Sequence, residues 1–342
     1  MSSVELFNQK LKKKRLLILF ILFLLIIVSF VISMNLGQIY LTPTQLFKTI
    51  LGFGTPKESM ILLDFRLPRI VISLLIGVGL AVSGCILQGL SRNELADPGI
   101  LGINNGAGFM IVIYISFFQF ENLNHLIALP LAAFIGSALT AFLIYILSYR
   151  KNEGIEPTRL ILVGVGISAA ITGAMIIFTI RLRPDEFQFI AKWLSGNIWG
   201  KDWNFVLVLL PWILILVPLA FTKAKILDVL SLGEHLSIGL GLTIEKQRIY
   251  LLAIAVGLAA SSVSVSGSIG FVGLISPHLA RRLLGTNHTY VIPGAAMIGG
   301  LLVINADTVA RMILQPAGIP TGIVVAIIGA PYFIYLLMKS KI

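Results

Sequence analysis

Charge is scarce in this chain. Only 12% of its 342 residues are Asp, Glu, Lys or Arg, about half the share of an ordinary soluble domain. The charges are also clustered, and the gaps between them reach the ~17–25 apolar residues that a membrane crossing needs. Cysteine occurs once, at Cys85, which excludes a disulfide framework or thiolate cluster within one chain. The four histidines, His125, His235, His278 and His288, are scattered and make no metal-site spacing. There is no GxxxxGK[ST] loop for nucleotide phosphates and no HExxH, so no cofactor is expected. Acidic residues number 15 against 26 basic ones, for a net charge of +11. In so apolar a chain this excess reads as the cytoplasmic Lys/Arg bias of a membrane protein rather than as a nucleic-acid surface.

A further absence concerns function. No ionisable residue falls clearly at mid-membrane; Asp307 and Arg311 come near the outer end of one apolar run. Ion-coupled carriers usually need a buried carboxylate or a broken-helix ion site, so a secondary transporter is disfavoured, although a sodium site built of carbonyls stays open. Ser266, Ser268 and His278 could be imagined as an intramembrane hydrolase pair. Small residues in membrane helices are far more often packing contacts.

What is present is apolar sequence: 57% hydrophobic residues and a mean hydropathy of +0.96. The expected fold is all-α, a polytopic integral membrane protein forming a single transmembrane domain over 1–342. Ten spans are read at about 15–34, 66–89, 99–118, 126–148, 158–181, 203–221, 247–266, 269–284, 292–312 and 320–338, the eighth being short and Gly-rich. The first is too long for a signal-peptide core and lacks a cleavage site, so it reads as a retained helix. Ten spans put both termini on one side. The basic N-terminus makes that side cytoplasmic, and seventeen of the 26 Lys and Arg residues then fall inside. Val78-Gly-Leu-Ala recurs at Val256-Gly-Leu-Ala, and Pro157-Thr158 at Pro320-Thr321. Both pairs are five spans apart, an odd offset that suggests two halves of inverted topology.

Outside the spans, Thr42 and Pro43 open one short surface helix, and Pro184, Asp185 and Glu186 open another that presents Phe187, Ile190 and Leu194 on one face. Trp193, Trp199 and Trp203 suit an interfacial belt. The segment 223–248 carries too few apolar residues to span. Gly233 interrupts it, and Ser231-x-x-Glu234 has the form of a capping box for a second short helix. Two amphipathic helices at the inner surface would lie on membrane lipid or enter a partner's groove; composition does not choose between these.

Several segments together resemble the FecCD/BtuC-type permeases of ABC importers that take up iron–siderophores, haem or cobalamin. They are RLPR at 66–69, LAVSGCILQ at 80–88, RNELADPGILGINNGAG at 92–108, LSLGEHLSIGLG at 230–241, SGSIGFVGLISPHLAR at 266–281, Ala306-Asp307 with Arg311, and IPTGIVVAIIGAPYFIYLL at 319–337. The resemblance runs from about residue 60 to the C-terminus. It implies a permease homodimer or heterodimer in the bacterial cell membrane, two ABC ATPase subunits and an extracytoplasmic substrate-binding protein. The Ile-, Lys- and Asn-rich usage points weakly to a low-GC, Gram-positive source, where that protein would be a lipoprotein. The resemblance assigns binding-protein docking to Arg66, Arg69 and Arg311; lipid-phosphate anchoring is the competing role for Arg66 and Arg69. It assigns ATPase coupling to Leu227, Leu230, Gly233, Glu234, His235 and Leu236. The cytoplasmic gate or pathway falls on Pro157, Thr158, Gly164 and Ser168, and an inner-face turn on Arg92, Asn93, Glu94, Asp97 and Pro98. The implied cargo is a metal chelate, an iron(III)–siderophore ahead of haem or cobalamin, moved by ATP-driven alternating access.

One position departs from the pattern: the family usually has proline where this chain has Glu94. Glutamate frees the turn's backbone and adds a carboxylate near Arg92. Glu94→Pro is therefore expected to keep transport, and lost uptake at normal expression would contradict this.

Overall fold

A computed structural model describes residues 3–37, 42–99, 101–118, 127–150, 154–198, 200–313 and 318–339. In chain order its helices are α1 (Ser3–Asn35), α2 (Pro43–Ile50), α3 (Pro56–Ser59), a π-helical stretch (Met60–Arg66), α4 (Leu67–Ser91), α5 (Ile103–Phe117), α6 (Ala128–Ser148), α7 (Pro157–Thr179), α8 (Pro184–Leu194), α9 (Trp203–Thr222), α10 (Ala224–Ser231), α11 (Glu234–Gly239), α12 (Ile244–Ser266), α13 (Val272–Leu284), α14 (His288–Ile313) and α15 (Thr321–Lys339). A two-residue antiparallel ladder joins β1 (Tyr149–Arg150) to β2 (Gly154–Ile155).

Eight of the described helices are long and apolar enough to cross a membrane. Two expected spans are shorter. α5 has 15 residues and α13 has 13, about 22 and 20 Å at 1.5 Å per residue, against a hydrocarbon core of about 30 Å. Both begin later than the sequence reading placed them, after left-handed residues at Gly102 (φ 76°) and Phe271 (φ 66°). Hydropathy could not register these starts, because the residues before them are apolar or small as well.

The second span runs the other way. Its helix starts at Pro56 rather than near Arg66 and continues through the π turn into α4. The reason lies in Pro68, which has no N–H to offer and whose ring crowds the carbonyl four residues back. Widening the preceding turn relieves this, and the Leu67 N–H bonds to Leu62 O, five residues back.

α4 is the axis of the molecule. Within its most apolar window 83% of residues are buried, against 11% for α1. It is flanked by α9, α12, α13 and α14. α1 instead turns Phe20, Phe23, Ile27 and Val31 outward, as a lipid-facing helix does. The repeated Val-Gly-Leu-Ala segments lie on neighbouring helices: Ser83 on α4 donates to Ala255 O on α12 at 2.7 Å. Across from them, α4 and α14 meet backbone to backbone. A Cβ on Gly77 would land on the Gly299 carbonyl, and one on Gly299 would land on that of Gly77.

Both short surface helices form as expected. Thr42 caps α2 reciprocally with Gln45 (Gln45 N–Thr42 Oγ1 3.3 Å, Thr42 N–Gln45 Oε1 2.9 Å). α8 follows Pro184, with Glu186 reaching back to the Arg183 N–H at 3.0 Å. Its Ile190 and Trp193 are buried while Phe187 is exposed, so the predicted face is split between core and surface. Trp199 lies outside the described residues. The capping box at Ser231 does not form. Ser231 ends α10 and donates to Asp228 O, while Gly233 (φ 109°) precedes α11 without a side-chain cap.

Gly77→Ala should lower the thermal unfolding midpoint of the detergent-solubilised protein by the equivalent of ~1–3 kcal/mol, the usual cost of overpacking. Gly173→Ala, whose Cβ would meet nothing within 4 Å, should leave the midpoint unchanged.

Candidate functional site

Two clusters at opposite ends of α4 hold the residues singled out above. At the α2 end, Arg69 donates to Asp307 from Nε at 3.0 Å to each carboxylate oxygen and from Nη2 at 2.8 Å to Oδ1. Thr321 adds a hydrogen bond to Oδ1 at 2.9 Å, and Arg311 Nε lies 3.3 Å from Oδ2. Asp307 is 1% exposed. A fork-on-carboxylate pair in so dry a place needs this many partners. Arg69 comes from α4, Asp307 and Arg311 from α14 and Thr321 from α15, so one carboxylate ties three helices.

The remaining donors of this cluster cap α1. Its last turn holds no basic residue, yet its carbonyls carry partial negative charge. Arg66 Nη1 donates to Met34 O at 2.6 Å. Arg311 donates to Ser33 O at 3.3 Å and Leu36 O at 3.4 Å, and to the Ser33 hydroxyl. The three arginines expected to face a partner are thus turned inward in this chain. Sequence spacing could not show this, because Asp307 lies 238 residues from Arg69.

At the other end, the turn 92–99 folds back under α13. Arg92 caps α4 in a left-handed conformation (φ 49°), a strained choice for a residue with a side chain. Asn93 accepts the Leu95 N–H at 2.9 Å and Asp97 the Gly99 N–H at 2.7 Å, two Asx turns in succession. Pro98 and Asp97 abut Gly273 at the start of α13. Burial pushes the Asp97 carboxyl from 3.8 up to about 6, against the lowering effect of hydrogen bonds from the Gly99 and Leu274 backbone. Glu94 reaches across to α13, with Oε2 3.2 Å from His278 Nδ1 and Oε1 3.6 Å from Arg281 Nε. Arg281 also bonds Gln88, whose amide donates to Gly273 O and Leu274 O. Ser268 instead takes a hydrogen bond from Asn104 at 3.2 Å, while His278 faces Glu94. Among the described residues Ser268 and His278 do not pair.

The coupling residues divide into two groups. Leu227 is fully buried and Leu230 nearly so; both anchor α10 to the bundle. His235 and Leu236 are exposed, together with Leu232, Ile238 and Leu240, an apolar surface that none of the described residues covers. Glu234 joins them to the bundle through Arg248 (2.6 Å) and Arg92 (3.8 Å).

Ser91, Arg92, Glu156, Thr158, Leu232, Gly233, Glu234, His235 and Leu236 line one cavity of about 610 Å³. It brings the inner turn, the expected gate and the coupling segment to a single place. α7 begins at Pro157. Gly164 and Ser168, about two and three turns on, lie instead against Gly102. Asn105 on α5 donates to Ser168 O at 3.3 Å.

Asp307→Asn should remove about 3–5 kcal/mol by leaving two guanidinium groups buried without their counter-charge. Unfolding midpoints should drop far more for it than for the paired change Arg69→Met with Asp307→Leu. Asp97 holds its proton more tightly in the fold than in the unfolded chain, so its contribution to stability is full below about pH 4 and is lost as pH rises through about 6. Asp97→Asn should flatten the midpoint-versus-pH curve across that window.

The family model of the FecCD transport family matches residues 24–339. The chain is 48% identical over 332 residues to the iron(3+)-hydroxamate import system permease protein FhuG of Bacillus subtilis, covering 96% of this chain and 98% of that one. It is 36% identical to the hemin transport system permease protein HmuU of Yersinia pestis, covering 96% of each. Among solved structures, it superposes on an inward-facing metal-chelate type ABC transporter with a TM-score of 0.83 at 31% identity, covering 94% of this chain and 99% of that one. The chain therefore belongs to the FecCD transport family and is a membrane permease of the ABC-importer kind.

Proposed function

We propose that this permease carries an iron(III)–hydroxamate chelate, taken from a binding protein at the Arg69 pole and released at the pole that holds the 610 Å³ cavity. The observation that carries the cargo class is the near full-length 48% identity to a hydroxamate permease, against 36% to a hemin permease. Within this reading α11 of each permease copy enters a groove on one of two partner ATPases. Its bare Leu236, Ile238 and Leu240 favour a protein groove over lipid, because Glu234 and Arg248 fix the helix to the bundle at its start. Both termini then lie in the cytoplasm and the spans number ten, α5 and α13 being broken crossings in two inverted halves. A second permease copy or a related subunit covers the exposed side of α7, where Leu162, Val165, Ile176 and Ile177 are bare.

Docking of the binding protein rests on the arginine cluster. Among the described residues Arg69 and Arg311 share one buried carboxylate, Asp307, so a net positive field remains at this pole even though their hydrogen bonds point inward. Cytoplasmic release rests on Pro157, Thr158 and the inner turn closing and opening the cavity.

Proteoliposomes holding permease, ATPases and binding protein should take up radio-iron as ferrioxamine, with excess haem or cobalamin failing to compete. Competition by either would reassign the cargo. Arg66→Glu with Arg311→Glu should weaken binding-protein affinity at least about tenfold, one unit of 1.4 kcal/mol, whereas Arg66→Lys should not; equal affinity in all three would end the docking reading. Leu236→Glu should abolish copurification of the ATPases.

A further inference from the structure

A second polar contact, besides that of Glu234, ties the coupling segment to the core. Asp228 on α10 holds the start of α14. Its Oδ1 accepts the backbone N–H of His288 at 2.9 Å and lies 2.6 Å from the Nδ1 of the same residue. A carboxylate only accepts, so Nδ1 carries the proton. The first turn of α14 has no acidic residue of its own. Asn287 satisfies the Thr289 N–H at 2.9 Å, and Asp228, from another element, supplies both the cap for His288 and the negative charge that a helix start favours. The imidazole is deeply buried, with 7% of its side chain exposed, so the contact is not a surface ion pair of negligible worth.

The joint has a third member. Gly89 on α4 sits beneath it: a Cβ there would lie 3.0 Å from Leu227 Cδ2 and 3.2 Å from His288 Nε2. Hence α10, α14 and α4 converge on one point. From it, α4 and α14 run side by side, in backbone contact at Gly77 and Gly299, to the bidentate Arg69–Asp307 pair at the far pole. α14 has 26 residues, about 39 Å at 1.5 Å per residue. It is fastened at one end to the coupling segment and at the other to the arginine cluster.

We infer that Asp228 and His288 are positioning residues for transport: they form the hinge pin through which displacement of the coupling segment drives α4 and α14 as one lever against the binding-protein pole. The inference rests on the reading of 223–248 as the ATPase-coupling segment. Leu227 contributes shape at this joint, but an apolar contact can slide, whereas two hydrogen bonds to one oxygen fix both direction and distance. A lever also needs a stiff arm, and α4 and α14 provide it by close packing, which transmits displacement rather than absorbing it.

The test uses the full complex of permease, ATPases and binding protein in proteoliposomes, with radio-iron ferrioxamine as probe. Asp228→Ala should leave ATPase copurification and basal ATP hydrolysis intact. Iron delivered per ATP should fall about tenfold, the scale of one lost charge-assisted hydrogen bond. Asp228→Asn keeps an acceptor oxygen and should recover most of the coupling. His288→Ala should match Asp228→Ala, and the double variant should be no worse than either, as for one shared contact. Unchanged delivery per ATP in Asp228→Ala overturns the inference. So does loss of ATPase copurification, which would make the contact part of the docking surface. If Leu236→Glu leaves the ATPases bound and normally stimulated, the coupling reading itself fails, and that result is separable from any Asp228 phenotype.

Discussion

Everything in this molecule is arranged around one constraint: α4 is enclosed by protein on nearly all sides and approaches α14 without side chains between them. Within a bilayer, two helices gain little from hiding apolar surface from each other, since lipid tails are equally apolar. Association then depends on intimate van der Waals contact and on a few well-placed polar groups. Gly77 and Gly299 provide the first, and the Arg69–Asp307 pair provides the second. The two act together, because the glycines bring the backbones close enough for a guanidinium and a carboxylate to meet in fixed geometry.

Polar chemistry in the rest of the chain obeys the same economy. Arg66 and Arg311 complete the carbonyls of α1, Glu94 joins the inner turn to α13, and Glu234 joins α11 to Arg248. Each of these charged groups thus links two elements. This explains how so few charges suffice: they act as struts between helices, while the apolar faces give way to lipid or to other subunits.

Much of this was legible in the sequence. Apolar length located most helices, Thr42 and Pro184 marked the starts of the two surface helices, and the segments from RLPR at 66–69 onward identified the family. What escaped were relations between distant residues. Spacing cannot reveal that Asp307 faces Arg69, or that Leu227 is internal while Leu236 is bare, since both leucines fit the same amphipathic pattern. The starts of α5 and α13 were missed because left-handed Gly102 and Phe271 set them, and hydropathy does not register φ. The false capping box at Ser231 had a correct pattern in the wrong place: Gly233 broke the chain direction first, and Ser231 closed α10 instead.

The capping of α1 has a consequence for biosynthesis. The carbonyls at its end are completed partly by Arg311, which lies 278 residues after Ser33. At ~5–20 residues per second, roughly 14 to 56 s pass between the synthesis of the two. Throughout that interval the last turn of α1 lacks the Arg311 partner it holds in the finished protein. Only 11% of the most apolar window of α1 is buried, as for α7, so it can wait in lipid as an independent helix. The arrival of α14 then closes the bundle, and the first helix made is among the last to be secured.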